Sequence, residues 1–360
     1  MLDNLWPAYR FANAPDATST GDAACDRQPS FPRVKAGSRL EMRLIDFGGK
    51  GRSAAIMALA IIAPWVAGIA AGETAHGMVA SFGAYLLGVS FPRLPPSGRV
   101  PLLLSSAIAI SLFATLGASV SLGSGLFFAG AVIAALAQCL GELKGGYLRL
   151  PIALGALAYF LSVGQVPAGG IPAYGLSFLA GTLWAGIFVS LAIPLAVSPP
   201  ESGRLALAAD SGQRRFAAGM VGVALAGSGL ACFLPGSHPC WLPAAGLRVM
   251  KPTRQQTLYR MKARGLGTTL GAAAGGLILG LSPIPWLHAA LVGGLVFTML
   301  MIGAKKYAPW SFCLTAIALA FNLQADGSVL EITANRVLLT IGGIALAALI
   351  LPLLTNARKS

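Results

Sequence analysis

From residue 53 to residue 354 the chain alternates between long apolar stretches and short polar loops. A helix that crosses a bilayer needs about 20 apolar residues, within a range of about 17 to 25. On that measure the pattern predicts spans at 53–71, 76–92, 101–121, 124–141, 150–165, 173–197, 214–234, 239–250, 264–282, 286–304, 308–323 and 334–354. The fifth, eighth and eleventh are short, which leaves ten or eleven full crossings as alternatives to twelve. Short segments broken by Gly or Pro at matching places in two halves of a chain mark transporters, whose interrupted helices line a site. The fold class this predicts is an all-α polytopic membrane bundle of about twelve transmembrane helices.

The polar linker at 198–213 separates a first membrane half, 53–197, from a second, 214–354, each with six predicted spans. An even number of spans gives both halves the same orientation, as in parallel repeats. Weak internal likeness follows the same division. Gly72-Glu73-Thr74-Ala75-His76 stands before the second span and Gly236-Ser237-His238-Pro239 before the eighth. Gly145-Gly146-Tyr147 opens the fifth and Lys306-Tyr307-Ala308 the eleventh. The third span of each three-span block carries a Thr beside small residues: Thr115-Leu116-Gly117, Gly181-Thr182, Gly267-Thr268-Thr269 and Thr340-Ile341-Gly342. A three-span unit would add inverted repeats inside each half. Gly, Ala and Thr are also what close packing of membrane helices selects in any fold.

Charge orients the bundle. Of 26 Lys and Arg, all but Arg336 fall on one side if the N-terminus is cytoplasmic. The loops on that side hold Arg93 and Arg99, Lys144 and Arg149, Arg204, Arg214 and Arg215, then the run from Lys251 to Arg264, and Lys305 with Lys306. Basic loops are retained in the cytoplasm, so both the N-terminus and the C-terminal residues 355–360 are expected inside a bacterial inner (plasma) membrane. Only 11% of residues are charged, against about a quarter in soluble domains. The net charge of +14 is spread over every inner loop rather than gathered on one face with aromatics. That pattern points to anionic lipids and not to nucleic acid. Residues 1–52 read as a polar cytoplasmic tail, with no apolar signal core. Cys232 and Cys240 flank one outer loop, where they either pair or sit as small buried thiols; no metal spacing appears among the five cysteines.

The richest stretch runs from His238 to Gly280. Arg264 is read as lying one turn before a Gly-rich helix N-terminus, whose free N–H groups and dipole favour an anion. The alternative is one more inner-loop cation that snorkels to headgroups. Arg248 sits near the inner end of the short eighth span. Arg336 lies at the outer end of the last span, where it serves the transport path or pairs locally with Glu331. His76 and His238 hold similar outer positions and are candidates for proton sensing, or are interfacial hydrogen-bonding groups. His288, beside Trp286, reads as interfacial. The Trp residues at 65, 184, 241, 286 and 310 read as belt or packing residues. No Asp or Glu falls in the middle of a predicted span, and no phosphate-binding loop, hydrolase elbow or paired-acid metal motif occurs. No catalytic residue, metal or cofactor is expected, and the chain is not read as an enzyme.

His238, Pro239 and Trp241, then Pro252, then Arg264 with Gly267, Thr268 and Gly271, resemble the fusaric acid resistance protein-like family, which includes aromatic carboxylic acid exporters. Tyr307, and Arg336 with Thr340 and Gly342, extend the resemblance over roughly 214–354; it is thinner over 53–197. The plant malate-permeable anion channels are similar more distantly. The larger exporters carry a big cytoplasmic domain between the halves, where this chain has only the short linker. The resemblance implies efflux of organic, foremost aromatic, carboxylates driven by a proton or voltage gradient, with Arg264, Gly267, Thr268, Gly271, His238, Trp241 and Arg336 along the substrate path, and the residue reading adds Arg248 to it. The alternatives are a passive anion channel and a non-transporting subunit of a larger efflux complex. Expected partners are small organic anions, membrane lipids, a periplasmic adaptor and further copies of the chain.

Overall fold

The computed structural model describes residues 36–91, 93–165, 169–195, 210–236, 238–281, 284–321 and 328–355. The chain forms two compact units, Met1–Ile45 and Asp46–Ser360, and the site lies wholly in the second. Among the described residues there are twelve α-helices: α1 (Ala36–Ala70), α2 (Thr74–Gly88), α3 (Arg99–Ser119), α4 (Gly125–Lys144), α5 (Arg149–Ser162), α6 (Gly170–Ala192), α7 (Ser211–Ala231), α8 (Trp241–Val249), α9 (Arg254–Leu281), α10 (Pro285–Ile302), α11 (Tyr307–Ala320) and α12 (Val329–Thr355).

Among the described residues six stretches are long and apolar enough to cross a membrane: Gly49–Ala70, Arg99–Ser119, Gly125–Lys144, Gly170–Ala192, Pro285–Ile302 and Val329–Pro352. The chain is a helical membrane protein. The predicted eighth span, 239–250, is not a full crossing. α8 has 9 residues, and at 1.5 Å per residue it reaches about 13 Å, less than half the hydrocarbon thickness. α2, α5 and α11 are also short, at 15, 14 and 14 residues.

Several boundaries differ from the sequence reading. Residues 36–52, expected in the polar tail, belong to α1; Arg39, Leu40, Glu41, Met42 and Arg43 are all good helix formers. Residues 1–35, the rest of that tail, lie outside the described residues, as does 196–209 of the expected linker. α9 starts ahead of the predicted 264 because Thr253 begins it: the Gln256 N–H donates to Thr253 Oγ1 at 3.4 Å, and Thr followed three residues later by Gln is a helix-start signal. α4 runs on to Lys144, past its predicted end at 141.

The helices pair by one rule. Taken in threes, the second of each group packs on the third of its neighbour: α2 on α6, α5 on α3, α8 on α12 and α11 on α9. Glycines of the four third spans sit at these crossings, with Gly343 rather than the noted Gly342 in the last. A Cβ on Gly117 would strike the Tyr159 carbonyl oxygen of α5, and one on Gly181 that of Ala80 in α2. Gly271 lies against the Phe312 carbonyl of α11, and Gly343 against that of Leu242 in α8. Only glycine permits such approach. The two halves meet through α4 on α7 and α5 on α8.

Candidate functional site

α9 and α12 carry the same spacing. Arg264, Thr268 and Gly271 in one, and Arg336, Thr340 and Gly343 in the other, stand at i, i+4 and i+7, one stripe of a helix. All six are buried. Because Gly271 and Gly343 seat their helices tightly on α11 and α8, the stripe faces inward and takes the arginines with it. Arg264 is 2% exposed and Arg336 4%.

Both arginines line one cavity of about 20 Å³. Its other walls come from both halves: Phe82 and Tyr85 of α2, Leu157 and Leu161 of α5, Leu314 and Ile317 of α11, and Phe321 just beyond it. The aromatic side is continuous. Phe321 stacks on Trp65 with ring centroids 5.3 Å apart and contacts Phe82 at 5.6 Å and Tyr85 at 6.2 Å. Phe82 meets Phe178 edge-on at 5.8 Å.

The Arg336 guanidinium lies 4.2 Å above the Trp241 ring. Trp241 in turn stacks on His238, 4.7 Å between centroids and 19° between planes, and His238 Nδ1 is 3.2 Å from Gln165 Nε2. Arg336 therefore does not pair with Glu331, whose side chain is exposed. Arg336 Nε and Arg264 Nε and Nη1 are buried without a partner. Among the described residues the ion pairs are Glu142 with Arg149 at 2.8 Å, Glu142 with Lys251, and His76 with Glu73 at 3.9 Å. Among the described residues no ion pair joins a carboxylate to Arg264 or Arg336.

The energetics favour an anion here. A desolvated cation–π contact is worth about 2 kcal/mol. Burying an unpaired cation costs several kcal/mol even after relaxation. Trp241 thus offsets only part of the cost at Arg336, and no ring contact of this kind is seen for Arg264. The chemistry on offer is two guanidinium forks for a carboxylate beside a wall of rings for a planar apolar body.

The other expected site residues divide. Arg264 is about three turns into α9, so it is neither at a helix N-terminus nor a snorkelling loop cation. Gly267 and Gly271 pack on α11 at the Ala308 and Phe312 carbonyls, and Thr268 Oγ1 is 3.3 Å from Thr315 Oγ1; these position Arg264 rather than line the cavity. Arg248 is buried in the last turn of α8, its Nε unpartnered. His76 is apart from the cavity, with Nδ1 3.2 Å from Ser177 Oγ. His288 is buried rather than interfacial, and both its ring nitrogens lack partners. Cys232 and Cys240 are free thiols. Among the described residues no cluster of His, Cys, Asp and Glu could hold a metal ion.

Sequence reasoning missed Glu142, Phe82, Tyr85 and Phe321. Glu142 is buried at the end of α4 and holds Arg149 on one side and Lys251 on the other. Lys251 sits in the turn between α8 and α9, where burial pushes its ammonium down to about 8 against the pull of Glu142.

Residues 221–350 match the family model described as fusaric acid resistance protein-like. That match lies wholly within the second half of the chain. The fusaric acid resistance protein-like stretch runs from within α7 to within α12 and contains His238, Trp241, Arg248, Arg264 and Arg336. α2 and α5, which complete the cavity, lie outside it. No curated protein and no solved structure matches the chain.

Proposed function

We propose that this protein is a transporter of small organic anions, aromatic carboxylates foremost, that exports them across a bacterial inner membrane with both termini cytoplasmic. The observation that carries the reading is the pair Arg264 and Arg336, buried against an aromatic wall without a carboxylate partner among the described residues. The match of residues 221–350 to a family model named for fusaric acid resistance supports it. Transport, rather than catalysis, suits a site that offers charge and shape but no nucleophile or acid–base pair.

The size of the cavity favours a carrier over an open channel. About 20 Å³ holds roughly one water, far less than a benzoate. Substrate enters only if Phe82, Phe321 and Ile317 move apart, which is what alternation between two packings would do. The crosswise pairing of α2 with α6 and α5 with α3, repeated by α8 with α12 and α11 with α9, fits three-helix units inverted within each half, and so a bundle of two six-helix repeats that rock about a central site. His238 is the expected proton sensor that reaches this site, through Trp241.

Cells overproducing the protein should accumulate less labelled benzoate or a related aromatic acid than control cells, and Arg336→Gln should restore accumulation at equal protein level. Equal accumulation with and without the wild-type protein, across a panel of aromatic and aliphatic carboxylates, would contradict the proposal.

A further inference from the structure

Basic residues continue past Arg264, away from the Arg336 cavity. Arg260 stands one turn earlier on the same face of α9, with its guanidinium 3.9 Å from the centroid of the Tyr307 ring. Tyr307 opens α11, is 1% exposed, and its hydroxyl has no partner. The charges of Arg264, Arg260, Arg248 and Lys251 all act on that hydroxyl. Arg248 is buried with Nε free, and Arg264 Nη1 is free as well. Ser311, one turn along α11 from Tyr307, has a further buried and unpartnered hydroxyl. Among the described residues the one carboxylate near this group, Glu142, is already engaged by Arg149 and Lys251.

We infer that a second anion subsite lies here, formed by the Tyr307 hydroxyl with Arg248 and Arg260, and that it takes a single carboxylate or an inorganic anion of similar size. The donors suit one such ligand: a phenolic O–H and guanidinium N–H groups, none committed to a neutralising protein group. Arg264 separates this subsite from the cavity it shares with Arg336. The subsite deepens the transport reading and rests on it for why an anion should come there. Two stations about one helical turn apart let an anion pass between guanidinium groups without being held too tightly at either.

The test uses the full chain in lipid nanodiscs, in chloride-free buffer, titrated by calorimetry with bromide and separately with benzoate. Wild-type protein should bind bromide at two saturable sites. Tyr307→Phe removes only an unpartnered hydroxyl and should weaken one of them about tenfold, the worth of a hydrogen bond to an ion; Arg248→Gln should weaken the same one. Arg336→Gln should remove the other and spare the Tyr307-sensitive site. If Arg248→Gln does not fold, Tyr307→Phe carries the test. Benzoate displacing bromide from the Tyr307-sensitive site assigns it to the carboxylate of the substrate; bromide alone binding there assigns it to an inorganic ion. A Tyr307-sensitive bromide site in protein that binds no benzoate would leave the subsite standing while the transport reading falls. One bromide site in the wild type, or unchanged bromide affinities in Tyr307→Phe, would overturn the subsite.

Discussion

A buried guanidinium with no carboxylate beside it is the feature on which the chemistry turns, and the same logic applies with opposite sign at Glu142. That side chain is 4% exposed and is shared by Arg149 and Lys251, so it neutralises both, whereas Arg264 and Arg336 have no such counterpart among the described residues. Glu142→Gln keeps the shape and removes the charge, leaving Lys251 buried and unpaired. Breaking a buried pair from one side costs about 3 kcal/mol or more, and the variant should unfold at visibly lower temperature in detergent, while Glu73→Gln, at an exposed pair, should not. Equal melting temperatures for Glu142→Gln and the wild type would show the pair to be idle. At this scale the sequence was informative about ionisable groups and uninformative about rings. Arg264, Arg248 and Arg336 stood out because charge is rare in apolar segments. Phe82, Tyr85 and Phe321 did not, because an aromatic in an apolar run looks like any packing residue until its neighbours are known. Glu142 was lost to a helix end placed one turn too early.

The elements are held by close approach more than by bulk. Each third helix presents a glycine to a carbonyl of a second helix, at Gly117, Gly181, Gly271 and Gly343. Ala at any of these positions places a methyl on a backbone oxygen, and overpacking of this kind typically costs about 1–3 kcal/mol. Gly294 is the control: nothing stands within 4 Å of a Cβ there, so Gly294→Ala should stabilise α10 by up to about 1 kcal/mol. Thermal unfolding of the five Ala variants separates the two classes; four crossing variants as stable as Gly294→Ala would refute the packing account. The Thr and small residues of the third spans were legible as a repeated motif, but not as crossing points, since composition alone does not say which helix a glycine meets. The eighth span was legible as short. That α8 is only 9 residues was not, because Pro239 and Met250 extend the apolar run beyond the helical part.

For the molecule as a whole, the twelve apolar segments carried most of the architecture, and eleven of them correspond to helices of broadly similar bounds. What hydropathy could not supply was the partnering of helices across groups, which brings α2 and α5 of the first half to the arginines of the second. Orientation is open to direct test: a periplasm-active reporter fused after Ser198 or after Ser360 should be silent, and activity at either would reverse the proposed topology. The central claim is that Arg264 and Arg336 bind the carboxylate that is moved. The measurement that tests it most directly is counterflow of labelled benzoate in liposomes holding purified protein, wild type beside Arg264→Gln and Arg336→Gln. The account predicts saturable exchange by the wild type and a loss of at least about tenfold in each variant, since a charge-assisted bidentate contact is removed. Exchange in both variants at the wild-type rate and half-saturation would contradict it.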